Sequence, residues 1–206
     1  AVRLVASAAE PGTMRAWFSD GLVVDATSIR AGEMDDESGS FGVELDGETV
    51  RGDRLPVGLD DLTAVVFDTG RLRGLAELEI DGIEAVGPRH HLEPPLVLEP
   101  LAAAGLGTLE LRGPVAVRWI VPDDATRFTA VASMPEVARQ WGDLELVVLD
   151  GREERLRTTV NAMHPEVVID VPLSAADRRL TIRLESGRHG PVMDRVRLRL
   201  PRVLMR

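Results

Sequence analysis

Apolar residues recur at every second position through most of the C-terminal half of this 206-residue chain. Val115, Val117, Trp119 and Val121 alternate with Ala116, Arg118 and Ile120. Leu144, Leu146 and Val148 keep the same rhythm, as do Val167, Ile169, Val171 and Leu173, then Leu180, Ile182 and Leu184, and finally Val196, Leu198 and Leu200. Successive side chains of a strand point to opposite faces, so each set is one stripe that becomes buried against a facing sheet. Strands at such short intervals, separated by turn residues, predict an antiparallel, jelly-roll-like β-sandwich.

The first half reads as β as well: Phe41, Val43 and Leu45 alternate, and Leu62 to Phe67 is a compact β-rich run. Asp-Gly pairs at Asp20-Gly21, Asp46-Gly47, Asp81-Gly82 and Asp150-Gly151 predict tight hairpin turns, because both residue types tolerate positive φ. Glu33 to Ser40 is acidic and small, which predicts a solvated loop. Between Ser133 and Gly142, Met134, Val137, Ala138 and Trp141 are spaced for one or two helical turns over one end of the sandwich.

From Gly87 to Pro100 the sequence holds four prolines, whose missing N–H groups argue against a central strand and for a linker, with Leu96 to Leu98 able to pack as an extended connection. The expected organisation is therefore all-β: a small β-barrel or β-sheet domain over 1–87, a linker over 88–100 and a sandwich over 101–206.

At 44% hydrophobic residues the chain can bury a substantial core. Its 34 acidic and 24 basic residues give a net charge of −10, which repels phosphate backbones and anionic membrane surfaces, so nucleic acid is not an expected partner. All the basic residues are arginine, a bias that points to genomic base composition. Without Cys there are no disulfides, thiolate metal sites or cysteine nucleophiles. No stretch approaches the roughly 18 apolar residues of a membrane-spanning helix. Ala1 to Ala9 is rich in small residues, as a processed, exported terminus would be.

Catalytic signatures are missing. Ser38-Gly39-Ser40-Phe41-Gly42 lacks the first glycine of a nucleophile elbow, and no lysine exists for a phosphate-binding loop. His90 and His91 are adjacent and diverge on an extended backbone, while His164 and His189 lie far from them in sequence, so no metal site is expected. Asp35, Asp36 and Glu37 lack the spacing of a calcium loop. Converging carboxylates for glycoside hydrolysis leave no sequence trace, and an enzyme is the least favoured class. No cofactor is expected.

Roughly from Leu101 to Leu204 the chain resembles the NPCBM type of carbohydrate-binding-module-like domain. The resemblance is carried by Gly105-Leu106-Gly107-Thr108, Ala125 to Val131, Leu144 to Gly151, Val167 to Val171 and Leu180 to Leu184. It implies a β-sandwich of the kind joined to other extracellular modules. The family carries a His soon after the Gly-Leu-Gly-Thr stretch, whereas Leu109 and Glu110 follow Thr108 here. It ends with Asp-His and Trp near the last strand, whereas this chain reads Gly190-Pro191-Val192-Met193-Asp194-Arg195-Val196, with only Asp194 in correspondence. The first half, through Asp20-Gly21, Phe41 to Gly47 and Arg54 to Val57 leading into Leu62 to Phe67, resembles the small Sm-like or SH3-like barrels that precede such domains.

Two surfaces are candidates for binding. Sugar sites pair an aromatic face with planar polar groups. Trp119 lies in an apolar strand and is expected in the core, so Trp141, beside Gln140 in a predicted loop, is the candidate platform; the ordinary alternative is a Trp capping the sandwich edge. Alternation also places Arg195, Arg197 and Arg199 on one face of the last strand, where they could grip a partner's carboxylates or pair with Glu145, Glu166 or Glu185. The expected function is a noncatalytic accessory or assembly subunit that docks by its sandwich onto a larger extracytoplasmic or membrane-associated protein complex. The alternative is a carbohydrate-binding module for cell-surface or polymeric glycans.

Overall fold

The computed structural model describes residues 14–18, 23–26, 28–33, 41–46, 62–66, 69–87, 92–98, 107–174 and 177–206. The chain divides into two compact units, 1–71 and 72–206.

In the first unit β1 (Met14–Phe18) lies between β2 (Val23–Ala26) and β5 (Leu62–Val66) in an antiparallel sheet. β3 (Ser28–Glu33) and β4 (Phe41–Asp46) form a hairpin with Ile29 opposite Leu45 and Ala31 opposite Val43. Asp20-Gly21, the acidic stretch 34–40 and Arg54 to Val57 fall outside the described residues. The described residues of this unit form one sheet and one hairpin, which do not establish the small-barrel resemblance.

The second unit contains β6 (Leu72–Gly74), β7 (Ile80–Ala85), β8 (Leu96–Leu98), β9 (Thr108–Arg112), β10 (Val115–Ile120) and β11 (Ala125–Ser133). β12 (Asp143–Asp150), β13 (Glu153–Asn161), β14 (Glu166–Pro172), β15 (Arg179–Ser186) and β16 (Arg195–Met205) complete it. One sheet has the order β13-β12-β15-β10-β7 and the other β14-β11-β16-β9-β8, with β6 also paired to β16. Neighbouring strands are antiparallel throughout.

The alternating stripes make the core. Val115, Val117 and Trp119 of β10, Leu144, Leu146 and Val148 of β12, and Leu180, Ile182 and Leu184 of β15 are buried in a common cluster with Leu109, Leu111, Phe128, Ile169, Val171, Val196 and Leu198 from the other sheet. Trp119 is in the core, as its strand context predicted. Val147 is buried on the opposite face of β12, where Arg157 and Arg183 flank it across the two neighbouring strands. Long arginine stems shield apolar surface in this way while their heads stay in water.

Four local expectations change in the tertiary structure. Leu200 is 42% exposed although it continues the stripe of Val196 and Leu198. Its φ of 46° and a register shift opposite Thr129 and Val131 make a bulge, after which Val203 and Met205 take the inward positions. A bulge inserts one residue and so reverses the alternation. Asp81-Gly82 does not turn; it lies within β7, where Gly82 pairs with Arg118 and Ile80 with Trp119, leaving Asp81 as the extra residue. Among the described residues Asp150-Gly151 does make a turn, between β12 and β13, with Gly151 at φ 59°, while Asp20-Gly21 and Gly47 lie outside them. The helical spacing at 133–142 yields a single 3-10 turn, Glu136–Ala138.

The fourth change concerns the domain boundary. The two units part at Arg71, and β7 and β8, which were expected in the first domain and the linker, are sheet strands of the sandwich. Pro94 and Pro95 stand just before β8, which is the edge strand of its sheet and holds no proline itself.

Candidate functional site

One end of the sandwich gathers the chemistry. β11 ends at Ser133 and β12 starts at Asp143; β13 ends at Asn161 and β14 starts at Glu166; β15 ends at Ser186 and β16 starts at Arg195. The pairings Asp143 with Asn161, Leu144 with Ser186, and Ser133 with both Glu166 and Arg197 bring these three loops to the same end.

Trp141 stands there with 52% of its surface exposed. Its main-chain N–H donates to Ala138 O (3.2 Å), as does that of Gly142 (2.7 Å), and Ala138 N–H donates to Pro135 O (2.9 Å). The 3-10 turn therefore fixes the backbone under the indole. Met134 N–H donates to Pro165 O (2.8 Å), tying this loop to the one between β13 and β14.

Asp143 is the anchor that sequence reasoning missed. Its carbonyl accepts the Gly187 N–H at 2.7 Å, and its buried carboxylate accepts the Arg188 N–H at 3.1 Å and the Asn161 side-chain amide at 3.4 Å. The Arg188 guanidinium lies 3.2 Å from the same carboxylate. The Arg188 N–H bond, working against burial, holds the Asp143 carboxyl below its ordinary value. His189 Nδ1 sits 3.2 Å from the Trp141 carbonyl. To make this bond the ring carries a proton on Nδ1, and in the neutral imidazole Nε2 is then an acceptor. The only linear trace of the arrangement is the polar stretch Gly187-Arg188-His189-Gly190, far from Trp141 in sequence.

Gln140 is exposed beside Trp141 in the same loop. The arginines of β16 are not free: Arg197 and Arg195 lie 3.0 and 3.9 Å from Glu110, and Arg199 lies 2.6 Å from Glu166. Glu110 is itself buried and also faces Arg112 at 3.4 Å. In the stretch where the resembling family carries His, this chain thus places a carboxylate that gathers arginines. Arg197 and Arg199 line an open groove of about 340 Å³ together with Arg139 of the Trp141 loop, Ser133, Glu136 and Glu166; Gln140 and Trp141 are not among its lining residues.

A larger hollow of about 680 Å³ lies on the outer face of the other sheet. Three of its arginines are paired in place: Arg118 with Glu84 and Asp81, Arg179 with Asp81 and Asp177, and Arg183 with Glu185. Such solvated networks are ordinary for an exposed sheet face. His164 lies in the β13–β14 turn and His189 in the β15–β16 loop, while His90 and His91 are outside the described residues. Among the described residues no three His, Asp or Glu side chains converge as metal ligands, and no helix is long and apolar enough to cross a membrane.

Solved structures with this fold include a CBM51 module from Clostridium perfringens GH95 in complex with methyl-galactose, at 11% identity and TM-score 0.50, over 64% of this chain and 99% of that one. The M60 catalytic domain of C. perfringens ZmpB with its two CBM51 domains is similar at 11% identity and TM-score 0.54, over 89% of this chain and 21% of that one. The tandem CBM51 modules of Sp3GH98, a family 98 glycoside hydrolase of Streptococcus pneumoniae, match at 13% identity and TM-score 0.53, over 75% and 57%. The chain thus spans about a fifth of the ZmpB structure and just over half of the tandem modules. No protein-family model matches the sequence, and no curated protein does. At these identities the likeness is one of fold: the chain carries a β-sandwich of the carbohydrate-binding-module type.

Proposed function

We propose that the second unit is a carbohydrate-binding module that holds a saccharide at the end formed by the Trp141, His164 and His189 loops. The observation that carries this reading is Trp141, an exposed indole on a backbone fixed from both sides. A rigid aromatic face loses little entropy when a sugar ring stacks on it. Around it Gln140, the Arg188 guanidinium and His189 Nε2 offer the donors and acceptors that sugar hydroxyls require. A hexose is the ligand class to test first, since a similar module was solved in complex with methyl-galactose. The chain binds without a chemical step of its own, and its glycans belong to an extracytoplasmic surface. Titration calorimetry with simple saccharides, after a glycan-array survey, tests the reading. Trp141→Ala should abolish binding while leaving the thermal midpoint unchanged; full binding by this variant refutes the assignment.

A second reading, docking as an accessory or assembly subunit of a larger extracytoplasmic or membrane-associated complex, is favoured by the arginines of β16. The Arg199–Glu166 pair is half exposed on both sides, so a partner's carboxylates can replace Glu166. Native co-purification tests it, and a chain recovered as a solitary monomer counts against it.

A further inference from the structure

The loop between β15 and β16, Gly187 to Asp194, is held by an aspartate at each end. At its start the Gly187 and Arg188 N–H groups donate to the carbonyl and the carboxylate of Asp143, at 2.7 and 3.1 Å. At its end the Asp194 carbonyl accepts the Gly113 N–H at 2.6 Å. Between these points the main chain bonds to itself: Gly190 N–H to Gly187 O, Val192 N–H to Gly190 O, and Arg195 N–H to Met193 O. Met193 has φ 59°, a left-handed conformation that a non-glycine residue keeps only where its surroundings impose it. The placing of Arg188 and His189 thus depends on the two ends of the loop and on the His189–Trp141 contact.

The Asp194 side chain is the weak member of this closure. It is 3% exposed, and an added Cβ on Gly113 would stand 3.2 Å from the Asp194 Cβ and 3.0 Å from that of Leu184, so it is packed against the β9–β10 turn and the core. Both of its carboxylate oxygens are buried without an aligned donor among the described residues. The nearby cations are engaged elsewhere: Arg188 with the Asp143 carboxylate at 3.2 Å, Arg195 with Glu110 at 3.9 Å, and Arg112 with Glu93 and Glu110 at 2.8 and 3.4 Å. Asp143, at the start of β12, adds a like charge. A buried carboxyl without donors is favoured as the neutral acid, and burial, reinforced by Asp143, pushes this one up to about 6. His189 donates Nδ1–H to the Trp141 carbonyl whether its ring is neutral or protonated, so its own titration does not release the loop.

We infer that Asp194 is a proton-operated latch on the saccharide-binding loop. As the neutral acid it stays buried and holds the loop closed; on ionisation the loop opens to bring the carboxylate to water and withdraws Arg188 and His189 from the sugar. The inference deepens the carbohydrate-binding reading, and only its consequence for affinity rests on that reading. The closed loop holds the proton more tightly than an open one, in which the carboxyl returns to its ordinary 3.8. Closure is therefore favoured at acidic pH and lost as pH rises through about 6. About two pH units separate the two values, so the ratio of open to closed loops rises by up to about a hundredfold across the window.

Amide hydrogen exchange of the full chain at pH 5 and pH 7.5 tests the latch, with Val148 and Ile182 in the core as controls. In the wild type the protection of Gly187 and Arg188 should fall by at least about tenfold between the two conditions, with a midpoint near pH 6, while the controls stay more strongly protected. In Asp194→Asn the loop protection should not change. The wild-type profile is read without any variant, so it decides the matter even if Asp194→Asn does not fold. Loop protection independent of pH, or a fall shared equally by Val148 and Ile182, overturns the latch; the second result would make Asp194 a group of global stability alone. Calorimetry with methyl-galactose gives the consequence: relative to Asp194→Asn, the wild type should bind at least about threefold more tightly at pH 5 than at pH 7.5. An affinity ratio equal at both pH values overturns the latch and leaves the saccharide reading standing. Loss of loop protection as stated, with no saccharide bound by either protein, upholds the latch and overturns the saccharide reading.

Discussion

Asp194→Asn should stabilise the protein at neutral pH, against the usual cost of altering a buried residue. Asp194 closes the loop that carries Arg188 and His189; its carbonyl accepts the Gly113 N–H at 2.6 Å, and its side chain is buried. Neither carboxylate oxygen completes a well-aligned hydrogen bond among the described residues. Burial pushes the carboxyl up to about 6, the negative charge of Asp143 adds to the rise, and Ser186 and the Asp143 main chain oppose it. Since the folded value exceeds the ordinary 3.8, the folded chain binds more protons than the unfolded one between these two values. Stability contributed by this group is therefore full well below the ordinary 3.8, declines as pH rises through the window, and levels off at about pH 7. Spanning 3.8 to about 6 at about 1.36 kcal/mol per pH unit gives about 3 kcal/mol. Asn mimics the neutral acid, so urea unfolding should show the variant near the wild type at about pH 3 and about 2 to 3 kcal/mol more stable at about pH 7.5. A difference independent of pH, or a variant that is less stable at pH 7.5, would mean that the carboxylate is ionised and satisfied, and the reasoning would fail.

Further outcomes follow from the core and the loop anchors. Trp119→Ala removes the largest fully buried side chain among the described residues and should cost about 3 to 5 kcal/mol in urea unfolding; a loss below about 1 kcal/mol would show that the sandwich core is not packed around it. At Gly187 an added methyl would meet the Asp143 carbonyl inside van der Waals contact. Gly187→Ala should therefore lower stability by about 1 to 3 kcal/mol and weaken saccharide binding by freeing the Arg188–His189 loop, measured by calorimetry beside Trp141→Ala. The Asp150 carboxylate accepts the Ser174 N–H at 2.7 Å and Arg155 Nη2 at 3.0 Å while buried at the β12–β13 turn. Asp150→Ala should cost about 2 to 3 kcal/mol in thermal unfolding, because both donors lose an ionised acceptor.

Fold class was readable because burial imposes a period of two on every strand that faces a second sheet, and the stripes of β10, β12, β14 and β15 obey it. The stripe of β16 failed at Leu200, since a bulge is decided by pairing with β11 and leaves the local alternation intact up to the point of failure. Asp81-Gly82 misled for a related reason: the pair is compatible with a turn or a bulge, and the partner strand chose. The exposed Trp141 was legible from its polar neighbours. Its anchors were not, because Asp143 opens an apolar strand and Arg188 and His189 lie 45 or more residues further on.

By itself the sequence determined that this chain buries alternating apolar stripes in β-sheets, since that follows from side-chain direction along each strand. Tertiary structure alone decided that the loops of Trp141, Met163 and His189 share one end and that Asp143 and Asp194 flank the same loop. Strand pairing joins residues distant in sequence, and no local pattern encodes which loops it brings together.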